Sequence, residues 1–285
     1  MSTRRLQQVI SSIMTSDGGG VKLRRSLGQS QALRLDPFLM LDEFSSSNAD
    51  DYIAGFPDHP HRGFETITYL LEGQMLHQDH LGNQGLLKSG GIQWMTAGRG
   101  IIHSEMPQQE SGRMRGFQLW INLPAREKMK PAQYGDIQAE QIPKLPLSKG
   151  GYVKILAGTV TINQQILQGP VQALSTQPLL IDVQLLAQSA FTHTIKATHN
   201  AFVYVYEGQL AIGEAEESVY LTTHDAGVLS EGEDIVVSTG AEGAAFLLLA
   251  AQALHEPVVQ YGPFVMNTRE EIEQALADYR NGQLV

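Results

Sequence analysis

The feature that most restricts the fold of this 285-residue chain is a series of short apolar stretches separated by turn-forming residues. Several stretches alternate apolar and polar side chains, which is the period of a β-strand with one buried face. The 28 glycines supply turns between them. Regularly spaced short strands are typical of sandwiches and barrels, so we predict an all-β fold. The clearest stretches are 38–41, 66–71, 91–95, 116–121, 152–156, 181–186, 201–206 and 244–249.

One helix is predicted near the end of the chain. Thr268 and Glu271 have the spacing of a capping box, in which each side chain hydrogen-bonds the backbone N–H of the other residue. Ile272, Ala275 and Leu276 follow at the intervals of an apolar helix face. The chain is therefore expected to end in a helix after its strands.

The composition excludes several classes of protein. Twenty basic against 30 acidic side chains give a net charge of −10, which argues against a nucleic-acid surface and against an anionic membrane as partner. The absence of cysteine rules out disulfides, thiolate zinc sites and cysteine nucleophiles. No apolar run approaches the ~20 residues of a membrane helix, and the first residues lack the apolar region of a secretory signal. We expect a soluble, cytoplasmic protein.

Two collinear sequence matches indicate an internal repeat. The segment 69–74 (YLLEGQ) recurs as 204–209 (YVYEGQ), at an offset of 135 residues. The segment 85–90 (GLLKSG) resembles 227–232 (GVLSEG), at an offset of 142. The alternative is two chance hexapeptide matches, but their common order favours one β-barrel unit used twice.

The boundary between the two halves is predicted in a proline-rich stretch. Residues 124–151 carry four prolines and end in two glycines, a composition typical of a linker along the surface rather than of a strand. We therefore predict a first barrel over 1–124, a linker over 125–151, and a second barrel with the terminal helix over 152–285.

Metal-binding chemistry is indicated in the first half. Five of the nine histidines fall between positions 59 and 103, and two pairs stand out: His59 with His61, and His103 with Glu105. Residues i and i+2 of a strand face the same way, so each pair can present two ligand atoms to one side of a sheet. Two such pairs on neighbouring strands would bring three imidazoles and one carboxylate to one ion. This set suits Fe, Mn, Ni, Cu or Zn better than Ca or Mg.

The spacing alone leaves alternatives open. A His-x-His pair is a weak motif, and hydrogen-bonded loop histidines would produce it equally well. Glu65 shares strand parity with the first histidine pair, so the spacing does not choose between Glu65 and Glu105 as the carboxylate ligand. His77 and His80 flank Asp79, where we predict a turn with solvated polar groups rather than a second metal site.

No matching ligand set is predicted in the second half. At the offsets of the repeat, the five candidate ligand positions of the first half correspond to second-half residues that are unsuited to binding a transition metal. The residues at these positions are Thr194 for His59, Lys196 for His61, Asn200 for Glu65, Ala245 for His103 and Leu247 for Glu105. His193 and His199 lie nearby, but their spacing does not place them on one strand face. The second barrel is therefore expected to be structural or to present an interaction surface.

The histidine pairs lie within longer motifs that resemble a known family. The segments 59–73 (HPHRGFETITYLLEG) and 93–107 (QWMTAGRGIIHSEMP) resemble the two motifs of the cupin superfamily and, within it, the pirin family. Further resemblance lies in 36–44, 115–124 and 262–268. The resemblance spans the chain, is strongest over 36–124 and is weak from about 125 to 260.

The resemblance implies a fold and a ligand set. Pirins are bicupins, with two tandem double-stranded β-helix (jelly-roll) barrels and one iron in the first. Two histidines of the first motif and a His and a Glu of the second hold that iron, which implies His59, His61, His103 and Glu105 as ligands of Fe2+, with Mn, Ni, Cu, Zn or Co as alternatives. In most cupins the first-motif glutamate, here Glu65, is a ligand instead, and the pirin pattern leaves it as a buried neighbour.

The resemblance also implies an activity. Some pirins cleave flavonols such as quercetin, which implies a quercetin 2,3-dioxygenase-type enzyme acting on a small aromatic substrate and O2. Glu105 or Glu65 would take the proton of the flavonol 3-hydroxyl. The alternative within the family is a non-catalytic iron-binding regulator that contacts a transcription factor or a metabolic enzyme. A third reading is a purely structural metal with a closed coordination shell.

Overall fold

A computed structural model describes residues 2–162, 164–172, 174–214 and 218–285 of the chain. Along these residues β-strands predominate, and an α-helix lies near the C terminus. This confirms the all-β prediction and the terminal helix. None of the helices in the described ranges is long and apolar enough to cross a membrane.

The strands and helices follow one another along the chain with short connections. The strands up to residue 146 are β1 Leu6–Ser11, β2 Ile13–Asp17, β3 Val21–Arg25, β4 Phe38–Ser46, β5 Phe56–His61, β6 Phe64–Glu72, β7 Gln74–Asp79, β8 Gln84–Lys88, β9 Ile92–Thr96, β10 Ile101–Pro107, β11 Met114–Asn122, β12 Gln133–Ile137 and β13 Lys144–Pro146. The later strands are β14 Gly151–Ala157, β15 Thr159–Ile162, β16 Gln165–Gln168, β17 Leu179–Leu185, β18 Ala190–Thr194, β19 His199–Ile212, β20 Val219–Thr222, β21 Asp225–Leu229, β22 Asp234–Ser238, β23 Ala244–Gln252, β24 Val259–Tyr261 and β25 Phe264–Met266. The helix α1 is Arg269–Arg280, and short 3₁₀ helices occupy Gln31–Leu33, Ala49–Asp51, Ala125–Glu127 and Ala139–Gln141.

The strands form two compact units that are not contiguous in sequence. The unit called here the first barrel contains residues 14–28, 38–140 and 254–285. The second barrel contains residues 1–13, 29–37 and 141–253. The sequence-based domain boundaries at 124 and 152 stay a prediction, since the N-terminal strand groups with the second barrel and the C-terminal helix with the first.

The expectation that 125–151 contains no strand is wrong. Strand β12 pairs with β9, and β13 pairs with β14. Both lie at the edge of their sheets. Edge strands tolerate proline because one side of the strand needs no hydrogen-bond donor, so the prolines of this segment do not exclude strands.

The first barrel contains two main antiparallel sheets and a two-stranded sheet of β24 and β25. One sheet has the strand order β12-β9-β6-β11-β4-β3-β2, and the other has the order β5-β10-β7-β8. The inward face of β6 carries Phe64, Thr68 and Leu70, because Leu70 packs with Leu23 and Phe64 packs with Trp120 in apolar clusters of this unit. The histidines predicted as ligands lie in the smaller sheet, on β5 and β10.

The second barrel repeats this topology strand for strand. The order β1-β21-β19-β23-β17-β14-β13 matches the larger sheet of the first barrel, and β18, β22, the end of β19 and β20 match the smaller one. The repeated Glu-Gly follows equivalent strand segments, at the end of β6 and within the long strand β19, and Gly73 and Gly208 both have positive φ, of 113° and 76°. This topology confirms the predicted repeat.

The topology also corrects one of the two sequence offsets. The offset of 142 pairs β8 with β21, whereas the sheet order pairs β9 with β21 and β10 with β22. His103 therefore corresponds to a residue of β22 and not to Ala245 of β23. The short match misled because both segments are strand–turn sequences with glycines at the same spacing.

Helix α1 belongs to the first barrel and contacts the residue that follows the histidine pair of β5. Thr268 Oγ1 accepts a hydrogen bond from Glu271 N at 3.2 Å, and Glu271 Oε2 accepts one from Thr268 N at 3.0 Å, so the predicted capping box is confirmed. Ile272 packs with Phe264 in an apolar cluster. The helix also binds the residue after the histidine pair, because Arg62 Nη1 donates to Asp278 Oδ2 at 2.6 Å.

Candidate metal centre

Three of the predicted ligands meet in the first barrel. Strands β5 and β10 are antiparallel, and His103 lies directly opposite His59. The ring centroids of His59 and His103 are 4.3 Å apart, and those of His61 lie 4.6 Å from His59 and 4.9 Å from His103. One ligand nitrogen from each ring lies within 4.8 Å of the other two. A single ion could therefore contact all three imidazoles.

The turn after the histidine pair requires a glycine. Gly63 has a φ of 92°, and a Cβ at this position would lie within 1.9 Å of the Val265 carbonyl oxygen. Only a residue without a side chain fits there. This turn interrupts the alternation of side chains between β5 and β6. The shared parity of Glu65 with His59 and His61 therefore does not place these residues on the same face.

Two of the three histidines, His61 and His103, are in the protonation state that metal binding requires. His61 is 3% exposed and His103 is 2% exposed. Burial, followed by the charges of neighbouring histidines, lowers the pKa of both residues well below the ordinary value of 6.5. Both rings are therefore neutral at neutral pH, which leaves a lone pair on each for a metal.

Hydrogen bonds orient two of the three rings. His59 Nδ1 lies 2.8 Å from the Pro57 carbonyl oxygen, which can only accept, so Nδ1 carries a proton and Nε2 is the nitrogen that could bind a metal. His103 Nε2 and His61 Nδ1 are buried and have no hydrogen-bond partner among the described residues. Buried polar atoms without partners are rare in folded proteins, so these atoms fit the requirements of a metal-binding site.

A buried relay behind His103 was not foreseen from the sequence. His103 Nδ1 lies 3.3 Å from His77 Nδ1, and His77 Nε2 lies 3.4 Å from Asp79 Oδ2. Because the carboxylate accepts from His77 Nε2, His77 Nδ1 can accept from His103 Nδ1, which directs the His103 Nε2 lone pair to the cluster. A partner of this kind fixes the tautomer of a metal-binding histidine.

The prediction of a solvated turn at His77 and Asp79 is wrong. His77 lies on β7, is fully buried, and stacks on Tyr134 with the ring centroids 4.1 Å apart. Its inward orientation could have been recognised from the alternation of Met75 and His77, both of which are buried on this strand. His80 is exposed, as expected.

Glu105 lies on β10, two residues after His103. The pairing of β10 with β5 shifts between His103 and Glu105, so Glu105 lies opposite Phe56. Thr68 Oγ1 donates to Glu105 Oε1 at 3.0 Å, and Gln118 Nε2 donates to Oε2 at 3.0 Å. The carboxylate is 1% exposed and therefore depends on these two donors.

Glu65 lies on the opposite face of β6 from Thr68, because side chains alternate along this strand. Its Oε1 accepts from Thr96 Oγ1 at 2.8 Å and lies 3.4 Å from Lys130 Nζ. Burial raises the pKa of Glu65, against the opposing effects of Lys130 and Thr96. Glu65 therefore contacts Thr96 and Lys130 on one face of β6. Glu105 contacts Thr68, which lies on the other, inward face of the same strand.

A cavity of about 520 Å³ opens onto the histidines. Its apolar walls include Met40, Phe44, Phe56 and Trp120, and His59 and His61 line it as well. Trp120 contacts the site directly, since its ring centroid lies 5.3 Å from that of His61. The volume lies within the range of roughly 300–1,000 Å³ that is usual for small-molecule sites.

A buried ion pair also lines this cavity. Arg25 donates to both carboxylate oxygens of Asp42, at 2.8 Å from Nε and 2.7 Å from Nη2. Burial raises the pKa of Asp42, against the hydrogen bonds from Arg25. Asp42, Gln118 and Trp120 lie in the segments 36–44 and 115–124, so the sequence resemblance contained a signal for them, but spacing alone did not.

Comparison with known proteins identifies the family. The Pirin family model matches residues 20–121, and the model of the Pirin C-terminal cupin domain matches residues 180–285. The chain belongs to the pirin family. Both barrels are thus cupin domains, which confirms the predicted bicupin fold.

Several relatives match this pirin along nearly its whole length. A Pseudomonas aeruginosa protein provisionally named quercetin 2,3-dioxygenase is 54% identical over 94% of this chain and 94% of its own. The pirin of Homo sapiens is 40% identical over 99% of this chain and 94% of its own. A crystal structure described as quercetin 2,3-dioxygenase from Acinetobacter baumannii superposes with a TM-score of 0.89 and 30% identity, covering 99% of both chains.

In the second barrel of this pirin, the positions equivalent to the histidine cluster differ from those predicted. The buried residues of β18 are Phe191 and His193, so the inward positions nearest to the predicted Thr194 and Lys196 are His193 and Ile195. A shift of one residue reverses the face of a strand. The connection from β18 to β19 is therefore one residue longer than the offset of 135 assumes.

The remaining equivalent positions of the second barrel are apolar. Ile235 lies opposite His193 on β22, just as His103 lies opposite His59 on β10. Val237, two residues on, takes the place of Glu105. In the described ranges, a cluster of three or more potential metal ligands is found at the first-barrel histidines and not here.

Proposed function

We propose that this chain is a metal-dependent dioxygenase that cleaves a flavonol such as quercetin with O2. The observation that carries the proposal is the cluster of three imidazoles, two of which line a 520 Å³ cavity with aromatic walls. The relatives named for quercetin 2,3-dioxygenase support the reaction class. The substrate would be a small aromatic molecule, as the family resemblance implied.

The proposed metal ligands are His59, His61 and His103, with Glu105 as the fourth. An ionised carboxylate offers about four lone-pair sites, so the hydrogen bonds from Thr68 and Gln118 leave Glu105 able to contact an ion. Three imidazoles and a carboxylate suit Fe2+, which we propose as the metal, with Mn, Ni, Cu, Zn and Co as alternatives of the same donor preference.

Glu105 is the proposed general base. The hydrogen bonds from Thr68 and Gln118 hold its carboxylate on the strand that carries His103, where it can take the proton of the flavonol 3-hydroxyl. The metal, when bound, lowers the pKa of that hydroxyl and favours its anion. Glu65 lies on the other face of β6, so we propose that it supports the site through Thr96 and does not act as the base.

The cavity walls orient the substrate and exclude water. Phe44, Phe56, Met40 and Trp120 offer flat apolar surfaces to the flavonol rings. In the overall reaction, both atoms of O2 enter the substrate at C2 and C4, the C2–C3 and C3–C4 bonds break, and C3 leaves as carbon monoxide. The reaction therefore needs no external reductant.

The test is turnover of quercetin by purified protein loaded with Fe2+. We expect loss of flavonol absorbance, with equal amounts of O2 consumed and carbon monoxide released. His59→Ala should abolish turnover, and Glu105→Gln should lower it roughly 10²–10⁴-fold per bound metal, the usual contribution of a general base. His80→Ala, which changes an exposed histidine outside the proposed ligand set, is the control.

Two results would overturn the proposal. One is the absence of turnover with every metal of the set although metal analysis shows a loaded site. The other is full turnover in His59→Ala. The first result, together with a stable protein partner, would favour the regulatory alternative. A cytoplasmic location also stays a prediction, which fractionation of cells would test.

A further inference from the structure

The second barrel contains a separate cavity of about 250 Å³. It lies at the end of β18, the strand that corresponds to the histidine strand β5 of the first barrel. Its lining combines apolar side chains with a lysine and two histidines. The residues that matter here are Val171, Leu174, Leu179, His193, Lys196 and His199.

His193 is a polar residue in an otherwise apolar row. Its neighbours on the inward face, Phe191 and Ile195, belong to the apolar core of this barrel. His193 is 5% exposed, and its Nδ1 has no hydrogen-bond partner among the described residues. Because a buried polar atom without a partner is destabilising, a ligand that pairs with this nitrogen would gain affinity from it.

Positive charge also lies at the cavity. Lys196 Nζ donates to Gln177 Oε1 at 2.6 Å, and no ion pair joins Lys196 to a carboxylate within the described part of the chain. Arg4 is 1% exposed and donates to the carbonyl oxygens of Lys196 and His199, at 3.0 and 2.8 Å. The charges of both cations act on His199.

The pKa of His199 indicates that the electrostatic potential in this region is positive. Burial, then the charge of Lys196 and then that of Arg4 lower the pKa of His199 to about 4. The same positive potential favours an anion near Lys196. The carboxylate whose charge acts on His193, Asp234, accepts a hydrogen bond from Thr194 Oγ1 at 2.7 Å.

We propose that this cavity binds a small carboxylic acid with an apolar body. One oxygen of its carboxylate would contact the Lys196 ammonium, and the other would accept a hydrogen bond from His193 Nδ1. The apolar body would lie against Val171, Leu174 and Leu179. A volume of about 250 Å³ is below the roughly 300–1,000 Å³ of drug-sized ligands, which restricts the ligand to about the size of a benzoate.

The experiment is a titration of the metal-loaded full chain with 4-fluorobenzoate, followed by fluorine NMR. We expect saturable binding with a dissociation constant near ~1 mM, which corresponds to about −4.1 kcal/mol. Lys196→Met should weaken binding at least ~10-fold through loss of the charge contact. His193→Leu, which matches its apolar neighbours, should weaken binding as well. Lys149→Met, at another exposed lysine of the second barrel, should leave the affinity unchanged.

Two controls localise the binding. The neutral 4-fluorobenzamide has the same apolar body and should bind the unmodified chain at least ~10-fold more weakly. His59→Ala changes the first barrel and should not alter the affinity for 4-fluorobenzoate. The proposal is wrong if no saturable binding occurs up to ~10 mM, if Lys196→Met binds as tightly as the unmodified chain, or if His59→Ala abolishes binding. None of these outcomes depends on whether quercetin is turned over.

Discussion

Lys128 should make the stability of this pirin rise with pH above neutrality. Its side chain is 1% exposed in the first barrel. Nζ donates to the carbonyl oxygens of Gly63 and Val265 at 2.8 and 2.9 Å, and to Asn122 Oδ1 at 2.7 Å. Burial lowers the pKa of Lys128 to about 7, against the attraction of acidic side chains farther away.

The sign and the magnitude follow from the proton balance. In the unfolded chain the lysine keeps its ordinary pKa of 10.5, so between pH 7 and 10.5 the unfolded state binds more protons than the folded state. The free energy of unfolding therefore increases with pH in this window, by up to about 1.4 kcal/mol per pH unit. The lowering of the Lys128 pKa from 10.5 to about 7 corresponds to a total increase of about 5 kcal/mol in the free energy of unfolding across this pH window.

Urea unfolding between pH 6.5 and 10, at constant metal loading, measures this slope. Lys128→Met should lose the rise with pH that the unmodified chain shows. It should also be less stable overall, because three buried oxygens lose their donor at about 1–3 kcal/mol each. Lys88→Met, at an exposed lysine of the same barrel, should keep the slope. Equal slopes in Lys128→Met and the unmodified chain would refute the reasoning, whatever the loss of stability.

Three further predictions concern the site, the helix and the core. Asp79→Asn should weaken metal binding roughly 10–100-fold in chelator competition, because His77 loses the acceptor that orients it; unchanged affinity would contradict the relay. Thr268→Ala should lower the free energy of unfolding by about 0.5–2 kcal/mol through loss of the helix cap, with Arg269→Ala, at the exposed first turn, as the comparison. Phe246→Ala, in the fully buried core of the second barrel, should cost about 3–5 kcal/mol in urea unfolding.

The sequence was sufficient for those features that depend on local patterns. Strand alternation predicted the all-β fold, Thr268 and Glu271 predicted the helix start, and the i, i+2 pairs predicted that three imidazoles meet. Features that depend on pairing between distant segments were not accessible. A one-residue difference in one connection reversed the face assigned in β18, and the pairing shift after His103 placed Glu105 opposite Phe56. Neither feature has a signature in the residue order.

The two barrels share one topology, but their equivalent inward positions hold candidate metal ligands in the first barrel and mostly apolar core residues in the second. At the positions where the first barrel has His61, His103 and Glu105, the second has Ile195, Ile235 and Val237, all buried in its apolar core. Burying one such aliphatic side chain stabilises a fold by about 1.5–3 kcal/mol, whereas buried polar groups need partners to avoid a penalty. The first barrel supplies some of these partners through Thr68, Gln118 and His77, and leaves two ring nitrogens for an ion. His193 is the one equivalent position where the second barrel keeps a polar side chain, and it is also where that barrel keeps a cavity. The need of buried polar groups for partners therefore accounts for both sites, since in each an inward side chain stays polar where a bound ion or ligand can supply the missing partner.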